Sequence, residues 1–307
     1  MINKIDRSGA PGVNHDRTRR VVLSAILGSM LQLIFAQNLS IYPYLLIRAM
    51  AEIIFLGTGG SIATPQRDNT AFLLRDTRSV VLVDCPGSVV QKLRKVKVDP
   101  REVSVVLLTH IHPDHVYGWP SFIHSLMLEE GEVRLCGSAE SVDLARRLLD
   151  LFRLREKGVR TRVIFKRLEP GRENAAGEAL TVKPLRVPHH ASSLAYRFCF
   201  RNEGKEVVLS GDTPLHPPLF EEARAAGCLV HDCSAPSRVF RQYPALRRMH
   251  TNALDLGKQA QEAGVECLVP VHFLGEVGFS RAEIEREIRR EFRGRLVIPE
   301  DFQRLKL

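Results

Sequence analysis

The sequence predicts an α/β protein with an αββα architecture, in which two mixed β-sheets pack together and helices cover their outer faces. The main observation is that, after Met50, short β-rich runs alternate with helical runs and no internal repeat is visible. In addition, 44% of the residues are apolar and 26% are charged, which is typical of a globular protein with a sizeable core.

The order of the runs indicates how the sheets are built. The predicted strands lie at 51–56, 71–75, 79–84, 104–109, 133–136, 161–166, 180–186, 195–200, 206–210, 228–231, 266–271 and 295–298. The predicted helices lie at 87–95, 114–128, 138–154, 217–226, 251–263 and 280–291. Early strands follow one another as hairpins and later strands alternate with helices, so each sheet is expected to be mixed. Residues 171–177 are expected to form an exposed turn.

Residues 1–49 do not fit this pattern and are interpreted as a leader, so that the predicted folded domain spans residues 50–307. Residues 1–20 are polar and predicted to be disordered, and a strongly apolar run from 21 to 47 follows. This run is long enough to be a membrane anchor, and Thr18-Arg19-Arg20 before it resembles a twin-arginine export signal. Alternatively, Met50 is the true start and the leader is not native, which is consistent with the cytoplasmic location that we expect.

Charge and cysteine content restrict the function only weakly. The net charge of +9 is compatible with a phosphate-bearing substrate, but nucleic-acid binders often show a denser basic patch. The arginine-rich stretch 146–167 is expected to be the solvated face of a helix. The six cysteines form no Cys-x-x-Cys pair, so neither a zinc ribbon nor a redox motif is indicated.

The strongest chemical signal is a cluster of histidines and one aspartate after the apolar run Leu107-Leu108. The cluster consists of His110, His112, Asp114 and His115. Imidazole and carboxylate groups are the ligands that zinc and similar ions prefer. Pro113 favours the first turn of a helix, which would direct Asp114 and His115 toward the same pocket. A histidine-rich surface loop is the alternative, but four such residues at a strand end favour a metal site.

The pattern His-x-His-x-Asp-His resembles the signature of the metallo-β-lactamase superfamily, and the similarity extends over nearly all of residues 51–307. The run from 55 to 60 (Phe-Leu-Gly-Thr-Gly-Gly), followed by Arg67-Asp68-Asn69, resembles the opening of the ribonuclease Z branch. The strand that ends in Asp84 resembles the one whose aspartate supports the metal site from behind, where it would orient ligand imidazoles. The resemblance implies the metallo-β-lactamase sandwich fold.

The resemblance also implies two metal sites. His110, His112 and His189 would hold one ion, Asp114, His115 and His272 would hold the other, and Asp212 would bridge them. His190 is an alternative to His189, although the spacing to Tyr196 favours His189. Two ions about 3.5–4 Å apart could activate a bridging water and stabilise both oxygens of a displacement. Zinc is the first expectation, and manganese and iron are alternatives.

Two further segments resemble ribonuclease Z more than β-lactamases: 229–233 stands where that branch has a His-Glu-Ala-Thr segment, and 249–251 stands where it has His-Ser-Thr. They imply that Asp232 orients His250, which would donate a proton to the leaving alkoxide of a phosphodiester or contact the phosphate. A histidine in this place could also be a neighbour of a helix cap. Asp114, Asp232 and His250 are therefore the predicted catalytic residues. His231 is expected to be an ordinary packing residue at the end of a strand.

This chain departs from the ribonuclease Z pattern in one feature that bears on its substrate. Ribonuclease Z enzymes carry a tRNA-gripping arm before the bridging aspartate, but here only residues 197–211 separate Tyr196 from Asp212. We therefore expect a phosphodiesterase of ribonuclease Z-like type that acts on RNA 3′ ends or small cyclic nucleotides. The alternative is a lactone, thioester or other acyl hydrolase; a degenerate metal-binding module would not need the complete ligand set. Related hydrolases are commonly homodimers, and a membrane contact would require the leader to be an anchor.

Overall fold

The computed structural model describes residues 51–156 and 158–307, so the predictions for the leader lie outside the described residues. The strands are β1 Glu52–Gly57, β2 Ala71–Arg75, β3 Val80–Val83, β4 Val105–Leu107, β5 Gly131–Gly137, β6 Thr161–Arg167, β7 Asn174–Ala175, β8 Leu180–Arg186, β9 Leu194–Phe200, β10 Lys205–Leu209, β11 Gly227–Asp232, β12 Cys267–Val271, β13 Arg295–Leu296 and β14 Arg304–Lys306. The α-helices are α1 Val89–Lys95, α2 Pro113–Val116, α3 Trp119–Ser125, α4 Ala139–Leu151, α5 Pro217–Ala226, α6 Ser237–Gln242, α7 Ala253–Glu262 and α8 Arg281–Arg289, and short 3-10 helices span Pro100–Glu102 and Pro244–Arg248.

These strands form two seven-stranded mixed sheets. Their orders are β14-β1-β2-β3-β4-β5-β6 and β13-β12-β11-β10-β9-β8-β7. The pairs from β3 to β6 are parallel, as are those from β10 to β13, and the remaining pairs are antiparallel. The two sheets and their flanking helices confirm the predicted fold class.

The hydrophobic core has three layers because each sheet is apolar on both faces. Between the sheets lie fully buried side chains that include Phe55, Leu74, Tyr196, Val207 and Val269. Outside the first sheet, Trp119 packs in the core that the helices cover, and Phe220 occupies the corresponding layer outside the second sheet. Burial on both faces explains why most strands read as continuous apolar runs.

The helix predicted for 114–128 is interrupted and forms α2 and α3 instead. The backbone N–H of Gly118 donates to the carbonyl of Cys85, and a Cβ atom at position 118 would lie 1.9 Å from the carbonyl oxygen of Pro86. Pro120 has no N–H to donate, and its ring is incompatible with a continuous helix through the preceding turn. The break keeps α2, which carries Asp114 and His115, as a separate short turn.

Besides the two 3-10 helices, one α-helix and two strands were not predicted from the sequence: α6, β7 and β14. The strand β7 lies within the segment 171–177, which therefore contains a short pairing with β8 in addition to its turn. The strand β14 pairs with β1 in antiparallel register, with Leu305 opposite Ile53. Segments this short carry too few residues for a recognisable period. Across residues 51–156 and 158–307, no helix combines the length and apolar character needed to cross a bilayer.

Candidate metal centre

The predicted site residues meet at the edge where the parallel strands of both sheets end. His110, His112, Asp114 and His115 follow β4, Asp212 follows β10, Asp232 ends β11, and His272 follows β12. His189 lies in the connection between β8 and β9. In open α/β sheets, ligands bind beyond the carboxyl ends of strands. Here two such edges face each other and supply one common centre.

The first group of ligand atoms comes from three histidines and Asp212. Nδ1 of His112 lies 3.0 Å from Nε2 of His110 and 3.2 Å from Nε2 of His189. Oδ2 of Asp212 is 3.8 Å from Nε2 of His110 and 3.9 Å from Nε2 of His189. Together these four ligand atoms lie within 4.8 Å of one another.

The second group shares Asp212 with the first. Its Oδ2 atom lies 3.1 Å from Nε2 of His272 and 3.4 Å from Nε2 of His115. Oδ2 of Asp114 lies 3.2 Å from Nε2 of His115. Asp114, His115, Asp212 and His272 are all buried and form a second cluster within the same 4.8 Å limit. The two groups have the membership that the resemblance implies.

The outer ring nitrogens are held by hydrogen bonds. Nδ1 of His115 donates to Oδ2 of Asp84 at 2.8 Å, and Nδ1 of His189 donates to the carbonyl of Met249 at 2.8 Å. The Thr109 hydroxyl donates to Asp84 and lies 3.0 Å from Nδ1 of His110. Such contacts fix the Nδ1 atoms of these rings, so that their Nε2 atoms face the centre.

Two of the supporting residues have an unusual backbone. Asp84 has φ of 61° and His272 has φ of 63°, in the left-handed region that non-glycine residues rarely adopt. Such conformations cost about 1–3 kcal/mol each and concentrate at functional sites. The strain at His272 directs an imidazole from the end of β12 toward Asp212.

The electrostatics differ between the two groups. Burial lowers the pKa of His110, His112 and His189, which keeps these imidazoles neutral. Burial would also lower the pKa of His272, but the adjacent Asp212 carboxylate raises it to about 10 in the metal-free protein. His115 behaves in the same way, and its pKa is raised well above its usual range. The carboxylates of the second group therefore favour positive charge close to them, which protonated His115 and His272 supply in the metal-free protein.

These residues fit divalent metal ions. Nε2 of His115 and Nε2 of His272 are buried, and although carboxylate oxygens lie 3.1–3.4 Å away, no group in the described part of the chain is aligned to form a hydrogen bond with them. Three neutral imidazole nitrogens converge in the first group, and their lone pairs cannot all satisfy one another. A cation in each group would accept these lone pairs and balance Asp114 and Asp212, as ligand sets of imidazole and carboxylate do for zinc.

The structure places His189 and His190 differently relative to the two groups. His189 contributes Nε2 to the first group, whereas His190 belongs to neither group. Instead, Nδ1 of His190 lies 2.8 Å from the hydroxyl of Ser192, and its ring lies 5.6 Å from that of His112.

A histidine and aspartate pair borders the second group. Nδ1 of His250 donates to Oδ2 of Asp232 at 2.8 Å. The ring of His250 stacks with that of His272 at a centroid distance of 5.1 Å and lies 5.2 Å from that of His189. His250 therefore flanks both groups without belonging to the two that share Asp212.

His231 points away from this site. Its ring is fully buried and stacks on Phe220, 5.2 Å away, because successive residues of β11 face opposite sides of the sheet. Sequence reasoning missed two supporting groups, the Thr109 hydroxyl and the Met249 carbonyl. The threonine could have been noticed beside His110, whereas a main-chain carbonyl leaves no signal in the sequence.

The chain is similar in sequence to known proteins. Residues 51–254 match the family model described as Anti-Pycsar protein Apyc1. The chain is 27% identical over 278 residues to a ribonuclease Z of Mycobacterium bovis (strain BCG / Pasteur 1173P2), covering 84% of this chain and 99% of that relative.

Solved structures share the fold at lower identity. The metallo-β-lactamase fold protein YhfI from Bacillus subtilis superposes with a TM-score of 0.71 at 19% identity, covering 83% of this chain and 99% of that chain. Zn²⁺-bound PqqB from Methylobacterium extorquens superposes with a TM-score of 0.65 at 16% identity, covering 83% and 100%.

Proposed function

The chain belongs to the family described as Anti-Pycsar protein Apyc1, within the metallo-β-lactamase superfamily, and we propose that it hydrolyses phosphodiesters of small nucleotides. It is a metal-dependent hydrolase. The 2.8 Å contact between His250 and Asp232 is the observation that carries the choice of a phosphodiester. The ribonuclease Z relatives also favour this reaction over the acyl-hydrolase alternative.

His110, His112 and His189 would hold one ion, Asp114, His115 and His272 would hold the other, and Asp212 would be shared. When bound, two such ions supply a nucleophile at neutral pH and stabilise the charge that develops on the phosphoryl oxygens. Zinc is the proposed ion, as in the bound PqqB structure.

His250 acts as the general acid. Because Nδ1 donates to the buried carboxylate of Asp232, the imidazolium form of His250 carries its second proton on Nε2, and transfer of that proton to the leaving alkoxide leaves the ring neutral. Proton donation of this kind contributes about 10²- to 10⁴-fold to a rate. An acyl transfer with a good leaving group would gain little from it, so the pair is suited to a phosphodiester.

The preference for small nucleotides rests on two surfaces. Between Tyr196 and Asp212 the chain forms only the hairpin of β9 and β10, joined by a short turn. The stretch 146–167 is not a bare basic surface, because carboxylates pair with Arg146, Arg155, Arg160, Arg162 and Arg167. Neither the β9–β10 hairpin nor the stretch 146–167 therefore offers the extended basic surface that phosphate contacts with a long RNA require.

The deciding measurement is hydrolysis of bis(p-nitrophenyl) phosphate by the full-length, zinc-loaded protein, with Asp212→Ala as the blank. Turnover that disappears in the variant supports a metallophosphodiesterase. The same protein is then given 3′,5′-cyclic nucleotides and an RNA with a 3′ extension. Faster cleavage of the RNA would contradict the small-nucleotide proposal. Absence of phosphodiester turnover with both metals bound would redirect the search to lactones and thioesters.

A further inference from the structure

His190 is a partly exposed histidine beside the metal centre that belongs to neither metal group. About a third of its side chain is exposed. The rings of His190, His112, His189 and His250 follow one another, with centroid separations of 5.6, 4.9 and 5.2 Å. His190 and His250 are thus the two ends of a run of imidazoles whose middle members are proposed ligands.

The orientation of His190 is set by its neighbours. Ser192 is fully buried; its hydroxyl accepts the backbone N–H of Ile111 at 3.2 Å and lies 2.8 Å from Nδ1 of His190. The backbone N–H of Ser192 also donates to this Nδ1 atom, at 3.1 Å. The Ser193 hydroxyl accepts the backbone N–H of His190. The loop therefore anchors the ring to the segment that carries His110 and His112.

These contacts specify a tautomer. An Nδ1 atom that accepts from a backbone N–H has no proton of its own, so the neutral ring carries its proton on Nε2. The hydroxyl of Ser192 then donates to the same Nδ1 atom. His250 has the opposite arrangement: its Nδ1 atom carries a proton, because it donates to Asp232. Within the described residues, Nε2 of His190 has no hydrogen-bond partner.

We propose that His190 is a substrate-binding residue whose Nε2–H donates to a non-bridging oxygen or sugar hydroxyl of the nucleotide, with Ser192 as its positioning residue. The inference rests on the proposed phosphodiesterase function. His250 serves the leaving oxygen at one end of the run, and His190 holds the substrate at the other. The donor is fixed before the substrate arrives, so little ordering is required on binding.

The test compares His190→Ala, His190→Gln and the parent, all zinc-loaded, on a 3′,5′-cyclic nucleotide and on bis(p-nitrophenyl) phosphate. The alanine variant is expected to lose about 10- to 100-fold in kcat/KM, mainly through KM, as for a lost hydrogen bond to a charged oxygen. Glutamine places an amide N–H near the former Nε2 position and should restore most of the loss. Both variants should retain the metal content of the parent.

Ser192→Ala tests the positioning role separately. Long-range ¹H–¹⁵N spectra, with His190→Gln identifying the signal, should show the Nε2–H tautomer in the parent and a mixture in Ser192→Ala. An unchanged kcat/KM in His190→Ala, loss of metal from it, or an Nδ1–H tautomer in the parent would overturn the inference. Failure of the parent on every phosphodiester would instead refute the proposed function.

Discussion

Oδ2 of Asp232 accepts a hydrogen bond from Nδ1 of His250 at 2.8 Å, and 13% of the His250 side chain is exposed while the carboxylate is completely buried. The N–H of Thr213 and the hydroxyl of Ser234 also donate to Asp232. Three donors prevent the carboxylate from turning, so the imidazole has one preferred orientation beside the metal groups.

His250→Ala should distinguish substrates by their leaving groups. We expect kcat for phosphodiesters with alkoxide leaving groups to fall about 10²-fold or more, because a general acid contributes this much. Activated nitrophenyl esters should lose less than about tenfold, since their leaving group needs no proton. The control is His124→Ala, which removes an exposed histidine at the end of α3. Equal losses on both substrate types would contradict the acid assignment.

Asp232→Asn should act through His250. The amide oxygen can still accept one bond but carries no charge, so the orientation and protonation of the ring are no longer supported. We expect the single variant to lose activity on poor leaving groups, and the double variant with His250→Ala to lose no more than His250→Ala alone. Steady-state kinetics of the four proteins form a double-mutant cycle. Additive losses would show that the two residues act independently.

Asp212→Ala should abolish turnover and deplete bound metal. This carboxylate lies within 3.4 Å of both His115 and His272 and is the member common to the two groups. Elemental analysis of the purified protein measures the metal directly. Asp150→Ala is the matched control, because Asp150 is exposed and pairs only with Arg155 among the described residues. A normal metal content in Asp212→Ala would mean that the bridge is misassigned.

Gly118→Ala should destabilise the fold near the site. The added Cβ would lie 1.9 Å from the Pro86 carbonyl oxygen, and the clash is with backbone that follows Asp84. We expect the free energy of unfolding to fall by about 2–3 kcal/mol, as for other overpacked positions. In Gly131→Ala the Cβ meets nothing within 4 Å, so urea denaturation should show a change below about 0.5 kcal/mol. Equal effects at both positions would refute this explanation.

Much of the fold could be predicted because burial leaves a direct pattern. The strands are apolar on both faces, and their order shows where hairpins give way to helical connections. Elements with few residues could not be predicted. An example is β14, whose pairing with β1 depends on backbone hydrogen bonds. The break at Gly118 also escaped, because it depends on the approach of the Pro86 carbonyl, which lies far away in the sequence.

The residue types along the chain already define the chemistry available at the site: they show which imidazoles and carboxylates follow which strands, and hence that a metal centre is expected. The tertiary structure placed His189, and not His190, in the first group of ligand atoms, brought Asp232 against His250, and gave Ser192 and the Met249 carbonyl their contacts. The physical reason is that side-chain type is a local property of the chain. A distance between residues on different strands depends on sheet register and on how the connecting loops pack.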